Sequence, residues 1–258
     1  MFNVTPIAIY EDNYVWLIQH QGKVCVVDPG HAEPVIEHLE KHGLTLDYIL
    51  VTHKHWDHVT GIAPLKQYYP QSQVYGTSHE EVPCLQHPLL GGENLHLMGL
   101  NWQVMHTPGH TLGQIAFYVI DESDQGHLFS ADNIFACGCG RMFEGSAEQF
   151  QSSLASLVSF PANTLVYGTH EYTLANINFA LHIEPNNTYT LHRQDICTQL
   201  RSEGKPTLPT TIGDELKSNP FLRWGQPDVI RAAEHHKGAP LNGPAQVFGE
   251  IRLMKDRF

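Results

Sequence analysis

Four potential metal ligands fall within six consecutive residues, His53-Lys54-His55-Trp56-Asp57-His58, immediately after the apolar run Tyr48–Thr52. A short run of β-branched and aromatic residues reads as a strand. Two histidines two apart at a strand end point to the same side and can chelate one cation. Asp57 and His58 follow on the loop, within reach of a second cation. A helix is expected next, near Gly61–Tyr69. The plain alternative is a solvated, histidine-rich loop, but loops scaffolded by a strand are where function concentrates. The chain must therefore place strand ends and loops so that more ligands can converge.

The same pattern of strand, turn and ligand recurs downstream. His110 sits in the tight turn Thr107-Pro108-Gly109-His110-Thr111, Asp132 ends Phe129-Ser130-Ala131-Asp132, and His170 follows Val166-Tyr167-Gly168-Thr169. The chain has 18 histidines, and His96, His106 and His127 show that isolated ones are common, so the recurrence carries the argument rather than any single residue. Asp28, in Asp28-Pro29-Gly30, also ends an apolar strand. It reads either as a turn aspartate or as an acceptor that orients the histidine loop.

The spacing predicts strands at 4–10, 14–19, 23–28, 73–75, 95–98, 102–106, 114–120, 127–130 and 164–167. Helices are expected over 34–42, with Gly43 as the stop, and from a capping box at Ser146 and Gln149 to about Val158. Past Tyr172 the texture turns helical, at 174–183, 189–201, 228–236 and 245–254, with a turn-rich connector over 206–220. The expected architecture is a mixed α/β sandwich over residues 1–170 followed by a small helical domain over 171–258.

The net charge of −12 argues against general nucleic-acid binding, which needs a basic face. It also means that an anionic substrate would need a local basic cluster. No apolar run approaches the roughly 20 residues of a membrane helix, and no signal peptide is visible, so a cytoplasmic protein is expected. The five cysteines, Cys25, Cys84, Cys137, Cys139 and Cys197, read as reduced thiols. Cys137-Gly138-Cys139 has no second cysteine pair to complete a metal site, and Gly138 with Gly140 suggests instead that this loop approaches a ligand closely.

The sequence resembles the metallo-β-lactamase superfamily and, within it, the glyoxalase II (hydroxyacylglutathione hydrolase) family. The T-H-x-H-x-D-H motif marks only the superfamily. The narrower resemblance rests on Gly138-Cys139-Gly140-Arg141 with Glu144-Gly145, on His170-Glu171-Tyr172-Thr173, on Asn219-Pro220-Phe221-Leu222-Arg223, and on Arg252 to Lys255-Asp256. It runs essentially end to end. It implies an αββα sandwich with a C-terminal helical substrate-binding domain. It assigns His53, His55 and His110 to one metal, Asp57, His58 and His170 to another, and Asp132 as the bridge. It also implies glutathione contacts from Arg141, Tyr172, Arg252 and Lys255. The family often has tyrosine where this chain has Phe143, which removes one hydroxyl contact.

The implied reaction is hydrolysis of S-(2-hydroxyacyl)glutathione, typically S-D-lactoylglutathione, to glutathione and D-lactate or a similar acid, a step in methylglyoxal detoxification. Two divalent ions about 3.5–4 Å apart can share a bridging hydroxide as nucleophile. Asp57 and Asp132 would hold and orient it. Imidazole and carboxylate ligands without thiolate suit zinc, and also iron or manganese. The alternatives on the same scaffold are lactam or other ester hydrolysis, RNA processing, and persulfide oxidation at one iron. A non-catalytic metal-dependent binding protein is the alternative of another class. No helix shows a clear dimer stripe, so a monomer is expected.

Overall fold

A computed structural model describes residues 1–258 as two compact units, one of Met1–Thr107 with Leu112–Ala131, the other of Pro108–Thr111 with Asp132–Phe258. The first unit opens with β1 (Asn3–Ile9), β2 (Asn13–His20), β3 (Lys23–Val27), α1 (Ala32–Lys41) and β4 (Tyr48–Val51). It continues with α2 (Trp56–Val59), α3 (Ile62–Tyr68), β5 (Gln73–Thr77) and β6 (His87–Leu89). The sheet order is β1-β2-β3-β4-β5-β6, antiparallel as far as β3 and parallel from β3 to β6.

Val15, Leu17, Val24, Val26, Ile49, Val51 and Val74 pack with Val35 and Leu39 of α1 and Ile62 and Leu65 of α3. Trp16, Ile18, Cys25, Val27 and Leu50 alternate with them and are also buried. A sheet covered on both faces needs continuous apolar strands, which is why Tyr48–Val51 shows no polar alternation. Each fully buried valine, leucine or isoleucine contributes about 1.5–3 kcal/mol. Register then places the functional loop. Val27 is paired with Leu50, and the Asp28 N–H donates to the Leu50 carbonyl at 2.9 Å, so Asp28 emerges beside Thr52.

The same unit contributes β7 (Asn94–Leu97), β8 (Leu100–His106), β9 (Ile115–Ile120) and β10 (Gly126–Ala131) to a second, antiparallel sheet in the order β10-β9-β8-β7. The Ile115 N–H donates to the Thr52 carbonyl at 3.0 Å and ties β9 to the end of β4.

The second unit holds α4 (Ala147–Leu157), β11 (Leu165–Gly168), α5 (Thr173–Ile183), α6 (Thr188–Ser202), β12 (Thr210–Thr211), α7 (Ile212–Ser218), α8 (Pro227–Lys237) and α9 (Pro244–Asp256). The capping box of α4 forms as expected, through Ser146 and Gln149. The expected 206–220 connector is instead structured. β12 pairs antiparallel with β11, and α7 follows at once, capped by the Thr211 side chain accepting from the Asp214 N–H. Pro206, Pro209 and Gly213 mask this short helix in the sequence, while its support comes from tertiary contacts. An aromatic core of Phe150, Phe179, Phe221 and Phe248 joins α4, α5 and α9, with Phe150 and Phe248 edge to face at 5.3 Å. The short β6 and one-turn α2 also lack a sequence signal. No helix is long and apolar enough to cross a membrane.

Candidate metal centre

In the first unit, the loop after β4 is organised by Asp28. Its Oδ1 accepts from the Thr52 N–H at 2.8 Å and its Oδ2 from the Thr52 hydroxyl at 2.7 Å. The Thr52 hydroxyl has one proton, so it accepts from Nδ1–H of His53 at 3.0 Å. Nε2 of His53 thereby becomes the lone-pair side, 3.1 Å from Nδ1 of His55. His58 donates Nδ1–H to Asp28 Oδ2 at 3.0 Å, which turns its Nε2 toward Asp57 Oδ2 at 3.7 Å. Asp57 is held by Nδ2 of Asn13 at 2.9 Å. Asp28 has φ +52, an uncommon conformation for a residue with a side chain, retained where it aims a carboxylate at two elements.

In the second unit, His110, Asp132 and His170 come together. Nδ1–H of His110 donates to the Arg141 carbonyl at 2.8 Å, so Nε2 carries the lone pair. Nε2 of His110 and Nε2 of His170 lie 3.3 and 3.6 Å from Oδ2 of Asp132. Ala131, just before Asp132, has φ +43. Gly140 permits the close packing beside it: a Cβ there would stand 2.2 Å from the Asp132 carbonyl oxygen and 2.8 Å from Nδ1 of His110. In the structure the glycine therefore serves close packing of the loop against the chain's own Asp132 and His110.

Donor atoms bound to one ion at about 2.0–2.1 Å in tetrahedral geometry are roughly 3.3 Å apart. The spacings of 3.1, 3.3, 3.6 and 3.7 Å match that scale. Nδ1–H of each of His53, His58 and His110 is given to an oxygen, as metal-ligating histidines require. The chain carries a His/Asp set suited to a binuclear metal site.

Tyr172 stacks on His170, with ring centroids 4.7 Å apart and planes within 3°. Arg141 and Phe143 are exposed, and the Phe143 ring lies edge to face with His110 at 5.3 Å. Arg252 and Lys255 share a face of α9. Arg252 is only 4% exposed; it donates to the Cys139 carbonyl at 3.1 Å, pairs with Asp256 at 3.0 Å and lies over Phe221. Lys255 donates to the Ala175 carbonyl at 3.3 Å. Burial, then the Arg252 charge, hold its pKa below the usual lysine value. Burial pushes the Cys137 thiol up to about 12 and Cys139 up to about 11, so both are protonated at neutral pH and unsuited to nucleophilic attack.

Sequence reasoning missed a buried network beneath the 135–141 loop. Glu215 accepts from the Cys137 N–H at 2.8 Å, Thr210 Oγ1 at 2.7 Å and Asn219 Nδ2 at 2.9 Å, and pairs with Arg193 at 2.7 Å. Asn219 also donates to the carbonyls of Gly138 and Phe135. The Asn219-Pro220-Phe221-Leu222-Arg223 motif was the one available signal. Asn13 had none.

Residues 11–170 match the metallo-beta-lactamase superfamily, and residues 171–258 match the hydroxyacylglutathione hydrolase C-terminus. A hydroxyacylglutathione hydrolase from Vibrio cholerae serotype O1 is 44% identical over 259 residues, covering 100% of both chains. The crystal structure of ETHE1 from Myxococcus xanthus shares the fold, with a TM-score of 0.65 at 24% identity over 99% of this chain and 98% of that one. The structure of TTHA1623 in a di-iron-bound form aligns with a TM-score of 0.60 at 25% identity, over 84% of this chain and 100% of that one. The α/β fold is that of the metallo-β-lactamases with a C-terminal helical region, and the chain belongs to the hydroxyacylglutathione hydrolase family of that superfamily.

Proposed function

We propose that the protein hydrolyses S-(2-hydroxyacyl)glutathione thioesters, S-D-lactoylglutathione among them, to glutathione and a 2-hydroxy acid. The observation that carries this reading is the approach of two histidine Nε2 atoms to one carboxylate oxygen of Asp132, in a chain matched end to end by a hydroxyacylglutathione hydrolase. In this reading His53, His55 and His110 would hold one divalent ion and Asp57, His58 and His170 a second, with Asp132 contributing to both. Zinc, iron and manganese all suit these ligands, and the di-iron form of TTHA1623 keeps iron in view. Ions held there would supply an acidified water at neutral pH and favourable charge toward the thioester carbonyl.

The chain's own residues bind and orient. Asp57, fixed by Asn13, is the carboxylate that directs the attacking water. Arg141 and Tyr172 receive the glutathione moiety, and Arg252 with Lys255 answers its glycine carboxylate, so residues 171–258 act as the substrate-binding region. The departing thiol has a pKa near ~8.5 and leaves with little need of a proton donor. Neither Cys137 nor Cys139 is called on.

The test is turnover by protein of known metal content on S-D-lactoylglutathione, on a small thioester lacking the tripeptide, and on a lactam. Strong preference for the glutathione thioester is expected. Equal rates on both thioesters, or lactam hydrolysis in their place, would overturn the reading.

A further inference from the structure

Glu80 lies outside the ligand set yet touches the backbone beside it. Its Oε2 accepts from the Lys54 N–H at 2.8 Å, and its Oε1 accepts from the Gly113 N–H at 2.9 Å. Lys54 is the residue between His53 and His55. Gly113 is three residues beyond His110, in the connection between β8 and β9. One carboxylate therefore spans two segments that are 26 and 33 residues away from it in sequence.

The surroundings are built for this contact. The Gly113 carbonyl accepts from the hydroxyl of Thr77, the last residue of β5, at 2.5 Å, so both backbone polar groups of Gly113 are held, one by Thr77 and one by Glu80. A Cβ on Gly113 would stand 2.4 Å from Cγ of Glu80 and 2.8 Å from Cβ of His79, so glycine is what lets the carboxylate reach the N–H. Hydrogen bonds from N–H groups to an ionised carboxylate are roughly twice as strong as neutral ones. An anion beside loops that carry cation ligands also favours a positively charged centre, an effect a neutral side chain would not supply.

We propose that Glu80 is a positioning residue for the metal centre. It presets the spacing between the His53–His55 segment and the segment following His110, so that the ligands meet the ions without first being ordered by them. This rests on the two-metal reading above. Preorganisation of this kind is paid in the apo protein and recovered as metal affinity.

The test uses full-length wild type, E80A, E80Q and G113A, each prepared metal-free and then titrated with Zn2+ or Co2+ against a competing chelator. Metal affinity, the Co2+ absorption spectrum, and the melting temperature with and without metal are recorded. E80A should bind metal roughly 10- to 100-fold more weakly. Its metal-induced rise in Tm should shrink, beyond the fall in metal-free Tm that the two lost hydrogen bonds cause. E80Q keeps one acceptor and should fall between E80A and wild type. G113A should reproduce part of the E80A defect with the carboxylate still present. Wild-type affinity and an unaltered Co2+ spectrum in E80A would overturn the proposal, as would equal loss of Tm in the metal-free and metal-loaded forms. Wild-type protein that takes up no metal would overturn the two-metal reading itself, a result distinct from a wild type that loads normally beside an unimpaired E80A.

Discussion

Oδ2 of Asp132 lies 3.3 Å from Nε2 of His110, a separation suited to two ligands of one ion. The same oxygen is 3.6 Å from Nε2 of His170, which supports the bridging role proposed for Asp132. Asp132→Ala should therefore lose metal and activity together. Loss of about 4 kcal/mol of transition-state stabilisation corresponds to roughly a thousandfold in rate. Metal content, turnover and circular dichroism on the same preparation check this. Two metal equivalents with near-wild-type turnover would remove Asp132 from the bridge.

Tyr172 combines a ring stacked on His170 with a hydroxyl proposed to meet glutathione. The two roles separate on substitution. Tyr172→Phe keeps the stack and should raise KM for the glutathione thioester about tenfold, the scale of one hydrogen bond near 1–1.5 kcal/mol. Tyr172→Ala should disturb metal affinity as well. An unchanged KM in the phenylalanine variant would assign the tyrosine to packing alone.

Lys255 and Arg252 are expected to read the glycine carboxylate. Lys255→Ala should weaken binding by about 1.5–3 kcal/mol, or roughly 10- to 150-fold, on the glutathione thioester and little on a small thioester. The pH dependence has a definite sign. Burial and the Arg252 charge lower the Lys255 pKa, so the ammonium is lost earlier on the alkaline side than in an ordinary lysine. A bound carboxylate favours the charged form, so KM should rise as pH climbs through that lowered pKa. Lys255→Arg, charged throughout, should remove this limb. Equal defects on both substrates would exclude carboxylate recognition.

Glu215 is fully buried and balances Arg193 while holding the Cys137 N–H. Glu215→Ala strands a largely buried guanidinium and should cost about 3–5 kcal/mol of stability, read as a lowered urea midpoint. A loss below about 1 kcal/mol would mean that the network relaxes around water.

The sequence was most informative where the physics is local. Alternation and turn residues located most strands, and the Ser146–Gln149 capping box located α4, because both signals act over a few residues. The His-x-His-x-Asp-His spacing marked the candidate ligand loop for the same reason. A three-residue interval put Arg252 and Lys255 on one helical face.

What the sequence could not convey was who sits opposite whom. Asn13 meets Asp57 across 44 residues, Glu80 meets Gly113 across 33, and Cys137 meets Glu215 across 78. α7 escaped notice because its support lies in such contacts rather than in its own composition. The burial of Arg252 against Cys139 and Phe221 likewise belongs to packing, since helical spacing sets a residue's face but not what covers it. Which residues can serve as ligands is a matter of residue type and short spacing. The orientation of these side chains, through Asp28 and the Arg141 carbonyl, depends on segments distant in sequence that each unit's fold brings together.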